Sequence, residues 1–233
     1  TEKGFTDNQH GKFKHEFFIG KPFGSKVMSH NGKGYVYALK MSPEFFTKTL
    51  LHRTQILYSA DIALVVMKLR IESGSVVVES GTGSCSMTYS LAEAVGKSGL
   101  VASFEFNKER HESAKSIFGK LGIENVAFHH RNVLEDGFCC PQLNERKASA
   151  VFLDLPRPQD AIDHALKVLK TEGRLCSFSP CIEQIVATAQ LMSKRGFLDI
   201  QVVECVERRF QRKRLREGAM GVENEGPRVT FLG

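Results

Sequence analysis

The run Val77-Val78-Glu79-Ser80-Gly81-Thr82-Gly83-Ser84-Cys85-Ser86 constrains the fold of this chain more than any other. A β-branched stretch ends in an acidic residue and breaks into Gly-x-Gly. A helix-compatible run, Cys85-Ser-Met-Thr-Tyr-Ser-Leu-Ala-Glu-Ala94, follows. Strand, tight turn and helix in that order bring backbone amides and a helix N-terminus up to a small ligand. Glycine is needed because a Cβ would block that approach or forbid the dihedrals of the turn. The next strand-like run, Leu100-Val-Ala-Ser-Phe-Glu105, again closes on an acidic residue. Some two dozen residues separate Glu105 from Gly81, a spacing that suits a carboxylate gripping the two hydroxyls of a ribose. Together they point to a cofactor that contains adenosine.

A dinucleotide site would read G-x-G-x-x-G, and Ser86 stands where the third glycine would be. S-adenosylmethionine (AdoMet) has no pyrophosphate to set on a helix N-terminus, so that glycine is dispensable for it. Enzymes that use AdoMet commonly carry an acidic residue where Glu79 stands. The local pattern alone also fits an ordinary glycine turn of an α/β protein.

Strand-like runs at 75–79, 100–105, 126–129, 148–154, 174–178 and 198–206 alternate with helical patterns at 87–95, 108–121, 160–170 and 182–195. That alternation predicts a mainly parallel α/β sheet with helices on both faces. Gly173 and Gly196 read as helix C-caps, and 227–232 as a returning antiparallel edge strand. Ligands of such sheets bind outside the carboxyl ends of the strands, where Gly81, Glu105 and Asp154 all fall. Upstream the periodicity changes. Residues 19–28 and 35–39 read as two strands around a glycine-rich turn, and 1–15 as a loop or frayed end. The predicted division is a small β-rich appendage with its linker over 1–57 and the sheet over 58–233, entered through a helix at 59–69.

The net charge is +6, and Arg208, Arg209, Arg212, Lys213, Arg214 and Arg216 crowd into one short stretch. A polyanion such as tRNA would neutralise them, although many charge runs are simply solvated. No apolar run is long enough to span a bilayer. The six cysteines make no C-x-x-C pair and no zinc spacing. Reduced cysteines in a cytosolic or nuclear protein are the expectation. His129 and His130 would point to opposite faces of a strand, so no metal is expected there. Thr1 is not an initiator methionine, so the chain reads as a piece of a longer protein.

Four segments are similar to one family: His52-Arg-Thr-Gln-Ile-Leu-Tyr-Ser-Ala-Asp61-Ile-Ala-Leu, Glu79-Ser-Gly-Thr-Gly-Ser, Val151-Phe-Leu-Asp154-Leu-Pro156-Arg-Pro158 and Cys176-Ser-Phe-Ser-Pro-Cys-Ile-Glu-Gln184. Gly20-Lys-Pro-Phe-Gly-Ser-Lys-Val27 adds a fifth, from an N-terminal β domain. They resemble the catalytic subunit of the eukaryotic tRNA (adenine-N1)-methyltransferase. The resemblance implies a Rossmann-like class I AdoMet-dependent sheet and methyl transfer to N1 of the T-loop adenine at tRNA position 58. It further implies a heterotetramer with a non-catalytic homologous subunit, and a nuclear location with the cytoplasm as a second. By the same resemblance Asp154 is catalytic. Gln55, Glu79, Gly81, Thr82, Gly83, Ser84, Cys85, Ser86, Glu105, Arg110, Asn132 and Val133 join Asp154 around the cofactor. Gln184 is a candidate for the tRNA side, with a solvent-facing helix residue as its alternative reading, and Arg208, Arg209 and Arg212 of the basic cluster are candidates for the tRNA on their charge. Cys85 replaces a glycine common in the family and should fit if it is already helical. Asn132 replaces an aspartate, which predicts altered contacts with adenine.

The residues suit that chemistry on their own terms. Adenine N1 is already nucleophilic and loses no proton before attack, so alignment and electrostatic stabilisation are the demands. As positive charge spreads over the N1–C6–N6 amidine, a carboxylate accepting from the N6 amino group stabilises it. Asp154, at the end of the fourth strand, is the candidate; a structural cap is its alternative role. Phe17, Phe18 and Phe23 read as core aromatics or as stacking partners for bases. Two other functions fit parts of the pattern: an AdoMet enzyme acting on a protein or small molecule, and a non-catalytic tRNA-binding scaffold.

Overall fold

The structure is a computed structural model and describes residues 4–50 and 56–206. Two antiparallel hairpins come first. β1 (Phe5–Asn8) pairs with β2 (Gly11–Lys14), and β3 (Lys26–Met28) pairs with β4 (Tyr35–Tyr37). The His30 N–H donates to Lys12 O at 2.7 Å and ties the hairpins together. The second is the hairpin expected around the glycine-rich turn, but its strands cover only 26–28 and 35–37 of the expected 19–28 and 35–39. The first stands where a loop was expected. All four residues of β1 are exposed and only Phe13 of β2 is buried, so no apolar alternation marks the pair. Helix α1 (Pro43–Thr49) occupies part of the expected appendage. Ser42 caps it by accepting from the Phe45 N–H at 3.3 Å, and Pro43 supplies a helical φ at its first position. Helix α2 (Ser59–Lys68) matches the helix expected to lead into the sheet.

Five parallel strands follow: β5 (Val76–Ser80), β6 (Leu100–Glu105), β7 (Val126–His130), β8 (Ala148–Asp154) and β9 (Leu169–Phe178). Their spatial order is β7-β6-β5-β8-β9, so the chain reverses direction across the sheet at β5. The connections carry α3 (Ser86–Val95), α4 (Lys108–Leu121), the short α5 (Val133–Asp136) and α6 (Pro141–Glu145), and α7 (Ile162–Val168); α8 (Ile182–Lys194) follows β9. Val76 and Val78 pack with Ala102, Phe104, Ile162 and Ala165 on one face. Val77 packs with Ile62, Leu91, Val95, Ala150 and Phe152 on the other. A central parallel strand must be apolar on both faces, which is why β5 reads as an unbroken valine run. Each such valine, fully buried, contributes about 1.5–3 kcal/mol. Residues 4–50 and 56–203 belong to one compact unit. No helix among the described residues is long and apolar enough to cross a membrane.

Three expected elements differ. Residues 198–206 form no strand among the described residues, and Leu198, Val202 and Val206 are largely exposed. A β-branched run becomes a strand only beside a neighbour that pairs with it, and the expected edge strand at 227–232 lies outside the described residues. The helix expected over 160–170 is shorter. A 3-10 turn at Pro158–Ala161 leads into α7, which stops at Val168 because Leu169 pairs with Ala148. Gly173 lies inside β9 rather than capping a helix. There the register jumps from Leu169 opposite Ala148 to Arg174 opposite Ala150, and Glu172 takes φ +63. Gly196, at φ +83, does follow the end of α8.

Candidate functional site

At the carboxyl end of β5 the chain turns through Gly81 at φ +94 and Gly83 at φ +51. The Gly81 N–H donates to Phe104 O at 3.0 Å, which holds the loop across the ends of β5 and β6. A Cβ on Gly81 would stand 2.2 Å from the Asp154 carbonyl oxygen and 3.3 Å from its Cβ. Only glycine lets this loop touch the end of β8. Cys85, expected to be helical, is instead the left-handed N-cap of α3, with φ 70 and ψ 9. A side chain there costs about 1–2 kcal/mol, which explains a preference for glycine at this position. The Cys85 thiol packs with Phe46, Tyr89 and Ala92, and burial pushes its pKa up to about 12.

Three carboxylates converge behind and beside the loop. Glu79 is fully buried, and its Oε2 accepts from Thr88 Oγ1 at 2.7 Å and from Ser103 Oγ at 2.6 Å. Ser103 Oγ also lies 2.6 Å from Thr82 Oγ1, so a buried chain of polar groups joins Glu79 to the loop. Glu79 Oε1 is buried and has no hydrogen-bond partner among the described residues. Burial raises the Glu79 pKa to about 8 against the two hydroxyl bonds, and the charges of Asp154 and Glu105 push the same way. Glu105 is 3% exposed, at the end of β6. Its Oε1 accepts from Asn107 N–H at 2.9 Å and from Arg110 Nε and Nη2 at 3.0 and 2.7 Å; its Oε2 accepts from Gly83 N–H at 3.0 Å. Burial works to raise its pKa, but these donors and the Arg110 charge outweigh it and hold the group below the ordinary carboxylate value. Asp154 ends β8 half-buried, and among the described residues nothing donates to its carboxylate. Burial first, then the Glu105 charge, raises its pKa.

The remaining candidates fall into different places. Gly81, Thr82, Gly83, Ser84 and Glu105 line the turn at the strand ends, with Asp154 across from Gly81. Arg110 reaches the site through Glu105. The Ser86 hydroxyl donates to Leu57 O at 3.1 Å and contacts Thr47 Oγ1 at 2.7 Å, so it secures α3 to the segment before α2 and to α1. Asn132 caps α5, its Oδ1 accepting from Leu134 N–H at 3.2 Å. Val133 is a core side chain, 3% exposed among Val78, Phe104 and Phe138. Gln184 Nε2 donates to Pro156 O at 2.8 Å and ties α8 to the loop after Asp154. Gln55 and the cluster Arg208, Arg209 and Arg212 lie outside the described residues. His129 stacks on Phe104 at 4.9 Å, whereas His130 is exposed and bonds Phe106 O at 2.9 Å. No group of three metal-ligating side chains occurs among the described residues. Phe17 and Phe18 are half-buried and Phe23 is exposed.

Ser103 and Thr88 were not anticipated as site residues. A signal existed for Ser103. It is a hydroxyl in an otherwise apolar buried strand, two residues from Glu105, and a buried polar group needs a partner.

The architecture is that of a Rossmann-like class I methyltransferase. A SAM-dependent O-methyltransferase from Thermotoga maritima superposes with a TM-score of 0.76 at 28% identity, covering 90% of this chain and 77% of that one. The tRNA (m1A58) methyltransferase TrmI from Aquifex aeolicus has the same fold, with a TM-score of 0.71 at 23% identity over 91% of this chain and 80% of its own. The chain belongs to the family of the tRNA methyltransferase complex GCD14 subunit, which matches residues 34–226. It is 45% identical over 204 residues to the tRNA (adenine(58)-N(1))-methyltransferase catalytic subunit TRM61 of Cryptococcus neoformans, covering 86% of this chain. The corresponding subunit of Dictyostelium discoideum is 39% identical over 213 residues and 91% of this chain. The chain spans 46% of the length of the first and 68% of the second.

Proposed function

We propose that this chain transfers a methyl group from AdoMet to N1 of the adenine at position 58 of tRNA. The observation that carries the reading is the contact between Gly81 and Asp154, which sets a half-buried carboxylate on the rim of the glycine turn. The residues fit the cofactor. Gly81 packs so tightly on the end of β8 that a Cβ would meet the Asp154 carbonyl, Glu105 Oε2 holds a single described donor, and Glu79 Oε1 is buried without a partner among the described residues. The backbone of Gly81 through Ser84 would hold the methionine portion and Glu105 the ribose. When bound, AdoMet supplies a methyl group on a sulfonium, already electrophilic.

This chain's own contribution is then alignment and charge. Asp154 accepts from the adenine N6 amino group and faces the positive charge that develops on the amidine. No group has to remove a proton from N1. Partial burial of Asp154 lessens the screening of that contact by water, and its raised pKa moves the acid limb of activity upward from an ordinary aspartate. The basic balance of the chain and the family both support a polyanionic substrate. Two further parts rest on the resemblance alone: a non-catalytic homologous subunit completing a heterotetramer, and a nuclear location.

The test is transfer of labelled methyl to unmodified tRNA, alone and with the homologous subunit, with the product base identified by mass spectrometry. Asp154→Ala is expected to lower kcat by about 10²–10³-fold. In Asp154→Asn the acid limb of the pH profile should disappear. Methyl found on a protein or on another base would sink the reading.

A further inference from the structure

We propose that the outer face of the β3–β4 hairpin is a stacking surface for a single-stranded segment of the RNA substrate; it rests on the tRNA reading above. The inner face of the hairpin is closed. Val27 is fully buried and Val36 half-buried. Register sets Lys26 opposite Tyr37 and Met28 opposite Tyr35, so these four side chains share the outer face. All four are exposed, Tyr35 at 46% and Tyr37 at 57%, and Leu39 continues the row two residues further on. The tyrosine rings meet edge to face at 5.7 Å, and Lys26 Nζ lies 3.9 Å from the Tyr35 centroid. Lys26 thus covers one side of Tyr35, and its ammonium stands where the phosphate beside a stacked base would lie. Tyr35 and Tyr37 stand two residues apart on β4, about 7 Å along the strand, room for successive bases on the two rings.

The charge around this face selects the occupant. Residues 17–43 contain no Asp or Glu but hold Lys21, Lys26, Lys33 and Lys40. Exposed aromatics alone would suit a protein surface. Aromatics framed only by cations suit a polyanion that carries flat, uncharged rings. Phe23, 70% exposed before the Gly24–Ala38 backbone bond, adds a further ring at the end of the hairpin.

The experiment uses the full chain together with the homologous subunit. It measures tRNA affinity by fluorescence anisotropy, AdoMet affinity by calorimetry, and steady-state methyl transfer. Tyr35→Ala with Tyr37→Ala should weaken tRNA binding and raise KM for tRNA by about tenfold or more, with kcat and AdoMet affinity unchanged. Tyr35→Phe with Tyr37→Phe keeps the rings and should keep wild-type values. Unchanged tRNA affinity in the alanine pair overturns the proposal. So does dissociation of the subunits on sizing while tRNA affinity is retained, which would make the face a protein interface. A wild type that binds tRNA through these tyrosines yet methylates none would sink the proposed activity and leave the surface standing.

Discussion

Glu79 lies behind the glycine turn rather than on its rim, and its protonation couples the site to stability. In the folded chain it keeps its proton to about pH 8, whereas the unfolded chain releases it in the ordinary carboxylate range. Between those limits the folded state binds more protons, so stability falls as pH rises. Glu105 works in the opposite sense. Its lowered pKa contributes stability above the ordinary carboxylate range that is lost as pH falls through its own value. Urea unfolding followed from about pH 5 to about pH 8 should show wild type losing on the order of a few kcal/mol, with Glu79→Gln much flatter. Parallel curves for the two proteins would show that Glu79 is ionised throughout. A neutral Glu79 also explains how three carboxylates share one end of the sheet, since one of them need not carry charge.

At the scale of elements, α8 acts as a brace for the loop that follows β8. Gln184 bonds Pro156 O, two residues beyond Asp154, and its Oε1 is buried without a partner among the described residues. Gln184→Ala should lower kcat several-fold while costing only about 0.5–1.5 kcal/mol of stability; an unchanged kcat would reduce the contact to simple packing. Elements that carry their own signals are legible in the sequence. β6 and α4 fall at 100–105 and 108–121, the latter because Asn107 caps its start and Gly122 ends it in the left-handed region. The glycine turn, Glu105 and Asp154 are legible for the same reason. What cannot be read there depends on distant neighbours. Residues 198–206 have strand composition but no described ladder, and β1 has a ladder but no alternation. The left-handed φ of Cys85 is set by the turn it completes, and Ser86 and Val133 are drawn off by partners far along the chain.

For the whole molecule, the order of the strands matters more than their number. The turn grows out of β5, but its floor is β8, and the Ser149 Oγ that reaches Val76 O at 3.0 Å comes from 73 residues further along. Closing that stretch of chain costs entropy before any contact across it is made, and long-range parallel pairing is slow for that reason. On refolding from urea, helical circular dichroism should therefore return ahead of AdoMet binding; recovery of both at one rate would mean that β5 and β8 pair as soon as the helices form. The contact between Gly81 and Asp154 thus serves as a clock. A chain caught midway through folding already owns its glycine turn, yet has nothing beneath it, and becomes competent only when two strands far apart in sequence have met.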